Sequence, residues 1–197
     1  MFERHASYRC RITIDVLTSD GPRSGSCVGE VWARTMLKLT SEEHAGSSGL
    51  FGQALIVEQP NGPLFFLTDQ TYDASAYLDV AITRALLPAE SLSPASRYIA
   101  AVREISRRTI PSKAEVPSKA WPIALRFDNL SRPLPMRRLD PVEAGVTRVV
   151  VETTHDPIST GIERRLPWLT AMDKFEYNGT DFADLYPVAA LDLRHRP

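Results

Sequence analysis

His155-Asp156, with Glu163 a few residues on, is where this chain's residue types best suit acid–base chemistry. An imidazole titrates near neutrality, so a strand-end histidine beside carboxylates can act as a general base in a small hydrolase or transferase. The competing reading is structural: Asp156-Pro157 starts a turn and leaves His155 exposed. Gly25-Ser-Cys27-Val-Gly29 has the spacing of a nucleophile elbow, where a sharp strand-to-helix turn presents the nucleophile beside backbone oxyanion donors. Here the pattern runs on into Glu30-Val-Trp-Ala, which reads as strand. The glycines then belong to a hairpin or bulge, and Cys27 is a small residue on a strand face.

Arginine is the recurrent type suited to binding. Arg103, Arg107 and Arg108 share or adjoin one helix face, and Arg137-Arg138 and Arg164-Arg165 are pairs near turns. Brought together, they would hold a phosphate or carboxylate partner through paired N–H donors. Ion pairs with Glu104, Asp140, Glu143 and Glu163 are the commoner outcome. Histidines at 5, 44, 155 and 195 have no metal-ligand spacing, so no metal is expected. Asp69, Asp73 and Asp79 lack the glycine and bidentate glutamate of a calcium loop, and capping and solvation explain them. No phosphate-cradling glycine motif occurs, and no cofactor is expected. Asn178-Gly-Thr180 is a formal glycosylation sequon that a turn explains equally.

These residues must be positioned by strands and two helices. In Tyr8-Arg-Cys-Arg-Ile-Thr-Ile-Asp-Val-Leu, Tyr8, Cys10, Ile12, Ile14 and Val16 share one face at period two. A turn at Ser19-Asp20-Gly21-Pro22 returns the chain along a second run, 26–36. Polar, Gly/Ser-rich residues 40–50 then connect to a second hairpin, 53–58 and 63–67, around Gln59-Pro-Asn-Gly62. Ala74, Tyr77, Leu78, Ala81, Ile82, Ala85 and Leu86 form a helical stripe that Asp73 can cap and Pro88 stops. Ser93-Pro94 opens a second helix whose stripe is Tyr98, Ile99, Val102 and Ile105.

Residues 109–122 read as a Pro-rich linker or surface excursion. Residues 123–127 and 147–154 read as strands, the latter dense in β-branched residues. Between them come a proline turn at Pro133 and Pro135 and a short helical turn from Asp140 to Gly145. Residues 166–197 form an irregular tail. Trp168, Leu169, Phe175, Tyr177, Phe182, Leu185 and Tyr186 predict that 166–186 docks on the core, and Arg194-His-Arg-Pro197 is expected to fray. Strands, then helices, then strands indicate an α+β fold: a mostly antiparallel sheet of consecutive hairpins with two helices packed on one face.

At 197 residues, one domain is expected, and roughly 70% of the unfolded surface can be buried without a staple. A formal net charge of −1 supplies no global field toward nucleic acid. A turn centred on Asp20 and Gly21 sets Cys27 opposite residues 14–16, beyond the ~7 Å reach of a disulfide to Cys10. Free thiols suit a reducing compartment. No apolar run approaches the ~18 residues of a membrane span, and residues 1–5 carry no leader pattern, so a cytoplasmic setting is expected.

Three segments resemble an uncharacterised family of bacterial hypothetical proteins: Arg11-Ile-Thr-Ile-Asp-Val with Gly21-Pro-Arg-Ser-Gly-Ser, Gly52-Gln-Ala, and Gly161-Ile-Glu-Arg-Arg-Leu-Pro-Trp-Leu169. That resemblance implies no activity and no site residue. It directs attention to Leu166-Pro-Trp-Leu169, a rigid turn whose Trp168 is either a packing plug or an interface anchor. The leading expectation is a non-catalytic domain acting through a protein partner, its oligomeric state open. The alternatives are the His155–Asp156 enzyme and an anion or nucleic-acid binder using the arginines.

Overall fold

A computed structural model describes residues 5–35, 46–71, 77–88, 92–93, 95–172 and 194–195. Strand β1 (His5–Thr18) turns tightly at Ser19-Asp20 into β2 (Gly21–Thr35), and their antiparallel register runs unbroken from His5↔Arg34 to Thr18↔Gly21. Ala6, Tyr8, Cys10, Ile12, Ile14 and Val16 are all buried, so the period-two pattern gives β1 one face in the core. The turn is centred one residue earlier than Asp20-Gly21. Cys27 therefore faces Ile12 rather than residues 14–16, because moving a hairpin's centre by one residue shifts every partner by two. Cys10, opposite Gly29, is then a diagonal neighbour of Cys27, and both are buried free thiols. Burial raises both thiols, Cys27 to about 12, so neither ionises near neutrality.

The connection read over 40–50 ends sooner than expected. Gly46–Gln53 is a strand, β3, laid along β2 from Glu30↔Phe51 to Thr35↔Gly46. Glycine and serine rarely favour a strand, but cross-strand packing supplies what propensity lacks. Trp32 lies across Gly49 and stacks on Phe51 at 5.2 Å between ring centroids. Only Ala54 separates β3 from β4 (Leu55–Val57), which pairs with β5 (Leu64–Thr71) around the expected Asn-Gly turn. Gly62 has φ +95° there, a left-handed conformation that favours glycine.

Among the described residues two antiparallel sheets result, one of six strands and one of four, within the α+β class. The first runs β10-β3-β2-β1-β9-β6, where β6 is Lys113–Glu115, β9 is Val146–Thr153 and β10 is Arg194–His195. The second runs β4-β5-β7-β8, with β7 at Pro122–Phe127 and β8 at Met136–Leu139. Residues 109–122 are thus more than a linker. They carry edge strand β6, and Val116, Ala120 and Trp121 are buried, with the Trp121 indole donating to the Val116 carbonyl at 3.0 Å. Arg194 and His195, expected to fray, pair instead with Gln53 and Gly52. Asp69's side chain, Asp73, Ala74, Pro94, the Asn178-Gly turn and the tail aromatics from Phe175 to Tyr186 lie outside the described residues.

Helices α1 (Leu78–Leu86) and α2 (Ala95–Ser106) cover the inner face of the first sheet. Leu55, Val57, Leu64, Phe66 and Ala124 from the second sheet join the same core. The other face of that sheet is covered too: Phe65, Leu67, Ile123, Leu125 and Phe127 pack with Ile162, Leu166, Trp168 and Leu169. Helix α3 (Trp168–Met172) supplies the last two of these. A strand buried on both sides needs no alternation, which accounts for the continuous apolar run Leu64–Leu67. The sheets come closest where β2 passes β4. A Cβ on Gly25 would run into the Ile56 carbonyl oxygen. Gly25→Ala should therefore lower stability by about 1–3 kcal/mol in a denaturant titration, and an unchanged midpoint would show that the sheets can move apart there.

Helix α1 departs from its expected stripe. Tyr77 is 60% exposed, whereas Asp79 is buried with Thr83. Asp79 is therefore no solvated residue. The Tyr98 hydroxyl donates to its carboxylate at 2.8 Å, Ser48 bonds it as well, and Thr83 donates to its backbone carbonyl at 2.8 Å. Tyr8 reaches Thr83 at 2.9 Å, so one polar chain ties β1, α1, α2 and β3 together. Burial raises the Asp79 carboxyl above the usual range, outweighing these hydrogen bonds. A raised carboxyl binds its proton more tightly in the folded state. Its contribution is therefore largest below the unfolded value of about 3.9 and is lost as pH rises through the folded value. Asp79→Asn should abolish that slope and melt at or above the native chain at pH 7. Asp79→Ala, which leaves hydroxyl donors unmatched, should cost about 1–3 kcal/mol. Equal losses in both variants, measured by denaturation at pH 4 and pH 7, would show that the charge itself is needed.

Candidate functional site

Strand β1 is longer than the strand beside it. Against β9 it pairs only from Cys10↔Thr153 to Val16↔Val146, with a bulge after Asp15, and the last bond is Thr154 N–H to the Arg9 carbonyl at 3.0 Å. Beyond Thr153 the chain leaves the ladder and crosses to the far side of β2. There Ser159 caps Val28 in both directions, its N–H donating to the Val28 carbonyl and its hydroxyl accepting from the Val28 N–H, each at 2.9 Å. The departure opens a groove of about 660 Å³. Its floor and one wall are Ser7, Tyr8, Arg9, Arg11 and Glu30. The opposite wall comes from the end of α2 and the chain after it, and Glu152 to Asp156 close one end.

Charge around the groove is mixed: Arg9, Arg11 and Arg108 stand against Glu30, Glu152 and Asp156. Most of it is already paired. Arg9 Nε approaches Glu30 at 3.4 Å, Arg11 holds the Asp156 carboxylate, and Lys113 reaches Glu152 at 3.2 Å. Arg108 bonds the Leu86 carbonyl at 3.2 Å, Ser112 at 3.0 Å and Glu104 at 3.3 Å, stapling both helices to the approach to β6. Thr154 also donates to Asp156, at 2.9 Å. The Thr154 hydroxyl and the Arg11 guanidinium hold the Asp156 carboxyl below its usual range. At neutral pH it is a fixed anion with no proton to give.

The groove thus gathers His155, Asp156 and Arg108 from the residues singled out by type. His155 is exposed and hydrogen-bonds no described residue, so nothing there orients it as a base. Glu163 lies in a 3-10 turn (Ile162–Arg164) and does not line the groove. Cys27 is buried in β2. The arginines are dispersed rather than gathered. Arg103 and Arg107 lie at the end of α2 outside the groove lining, Arg137 pairs with Asp128 at 3.0 Å, Arg138 is exposed on β8, Arg164 is exposed beside Gly161, and Arg165 pairs with Glu58. Trp168 is 8% exposed, against Phe127 at 5.6 Å, and serves as packing. Arg9, Arg11 and Glu30 were not singled out by type. For the two arginines the signal was the other half of the β1 alternation, the residues between Tyr8, Cys10 and Ile12.

Among the described residues no helix is long and apolar enough to cross a membrane, and no three His, Cys, Asp or Glu side chains are grouped to hold a metal ion. Comparison with protein-family models, with curated proteins and with solved structures returns no match.

The paired Asp156 carboxylate has a direct signature. A depressed carboxyl favours the folded state above its unfolded value near 3.9, and that preference is lost as pH falls through the folded value. An NMR titration of Asp156 should therefore have its midpoint below the usual carboxylate value, and Arg11→Met or Thr154→Val should move it up. An unmoved midpoint in both variants would mean that these contacts do not hold the charge in solution.

Proposed function

We propose that this chain is a non-catalytic binding module whose partner, a segment of another protein, lies in the groove beside β1. The observation that carries this reading is the set of rim charges, three of each sign, most already joined in pairs around an open cleft. Such a rim gives little steering to a simple anion or cation, because opposite fields cancel within a few ångströms. It does suit a polypeptide segment carrying both signs, whose side chains exchange partners with pairs already present. An acid–base reading has less behind it, since Asp156 is held as an anion and His155 has no orienting partner among the described residues. Two buried thiols support a reducing, cytoplasmic setting.

The test is a titration of short acidic, basic, mixed-charge and neutral peptides, and of inorganic phosphate, against labelled protein at low and physiological salt. Mixed-charge peptides should shift the amides of Ser7, Arg9 and Thr154 to Asp156 most, with weak salt dependence, and Arg11→Glu should reduce that response at least tenfold. Phosphate binding as strongly as any peptide, with a steep salt dependence, would favour the anion reading instead. Turnover of a model ester or phosphoester that disappears in His155→Ala without loss of thermal stability would replace binding with catalysis.

A further inference from the structure

The groove exposes backbone as well as side chains. In an antiparallel pair, residues exchange both hydrogen bonds at alternate positions only. The bond from Thr154 to Arg9 identifies odd-numbered β1 residues as those whose N–H and C=O point toward β9. Even-numbered residues then serve β2, consistent with Val28, opposite Arg11, turning its own N–H and C=O away from β1 to Ser159. Ser7 therefore directs its N–H and C=O toward the line that β9 would occupy if it continued, and β9 stops pairing at Cys10. Ser7 has no backbone partner on that side among the described residues, and it lines the groove.

An unpaired strand edge is a template for another strand. Two outer strands are guarded: β6 is three residues long between Pro111 and Pro117, and β8 presents Arg137 and Arg138. At Ser7–Arg9 the edge of β1 lies instead inside a recess, between the end of α2 and the Thr153–Asp156 segment.

Resting on the reading of the groove as a partner site, we infer that the partner binds by strand addition: an extended segment pairs antiparallel with residues 5–8 of β1, taking the line that β9 vacates. The edge also states the chemistry of that segment. Side chains alternate across a strand, so residues beside Ala6 and Tyr8 face inward toward Ile105, where apolar groups fit. Residues opposite Ser7 face outward beside Arg9, where a carboxylate is matched by the guanidinium. Arg9 uses Nε on Glu30 and one Nη on the Asp156 carbonyl, and its other Nη has no partner among the described residues. The occupant is thus a short extended segment alternating β-branched apolar residues with charged ones, acidic opposite Ser7.

The experiment uses the full chain and the synthetic mixed-charge peptide acetyl-Val-Glu-Val-Lys-Val-amide. Its control has the same side chains but N-methyl groups on the glutamate and lysine amides, which removes backbone donors. Binding by strand addition should slow hydrogen exchange at the Ser7 amide at least tenfold, and N-methylation should weaken affinity at least tenfold. Ser7→Pro removes the outward N–H without removing a bond to β2, so it should abolish binding at unchanged melting temperature. If the N-methyl peptide binds equally well and shifts the same groove amides, the groove is a partner site and strand addition is wrong. If the parent peptide fails to bind at millimolar concentration while other mixed-charge peptides still do, strand addition by this class of segment is overturned and the groove reading stands. If no peptide shifts the groove amides, both fall.

Discussion

Everything in this molecule is counted from the register of β1 against β2. All fourteen residues of β1 have a partner on β2, with no bulge between them. A one-residue slip would turn Ala6, Tyr8, Cys10, Ile12, Ile14 and Val16 out of the core and put Arg9, Arg11 and Asp15 into it. The cost of burying unpaired charge makes that alternative inaccessible, so a single alignment survives. Because β1 lies between β2 and β9, the same alignment sets both neighbours and, through them, β3 and β6. The core on one face and the row of ion pairs on the other are two consequences of one constraint.

The second sheet depends on the first through a close passage. Gly25 admits the backbone of β4, and one residue, Ala54, carries the chain from β3 in one sheet to β4 in the other. The second sheet can then lend Leu64 and Phe66 to the main core while Phe65 and Leu67 face away from it. That outward face would be an apolar surface without the chain that returns after β9. Gln53 fixes this return by accepting from the Ile162 N–H at 2.9 Å, and Leu166, Trp168 and Leu169 complete the cover. The tail's first residues are therefore part of the fold, and Trp168 is spent on packing.

What could be read from the sequence was whatever rests on a local period or a local dihedral demand. Alternation in β1, the Asn-Gly turn and the β-branched run of β9 all specify their own conformation. Strand β3 was hidden because its residues are chosen for what they permit, a tryptophan lying across Gly49, rather than for strand propensity. Strand β6 was hidden by the prolines that bound it, which blunt an edge as readily as they mark a loop. Asp79 was hidden because its partners, Tyr98 and Ser48, lie on other elements, and no spacing along the chain announces a polar chain closed in three dimensions. The groove was half visible. His155, Asp156 and Arg108 attract notice as residue types, while Arg9 and Arg11 look like the ordinary exposed half of a strand.

That last difference separates the acid–base alternative, which residue type suggested, from the binding reading proposed for the groove. A histidine and a carboxylate adjacent in sequence suggest a proton relay, but a relay needs the carboxylate to turn toward the imidazole. Here Arg11 and Thr154 hold the Asp156 carboxylate, so the fold uses it to fasten the crossing segment over the sheet. The fastening has a structural result. It holds His155 and Asp156 off the line of β9, and the N-terminal part of β1 is left with an open edge at the bottom of a recess. Asp156 thus works to hold a strand edge open, and the backbone pairing proposed for the groove rests on where it holds the chain.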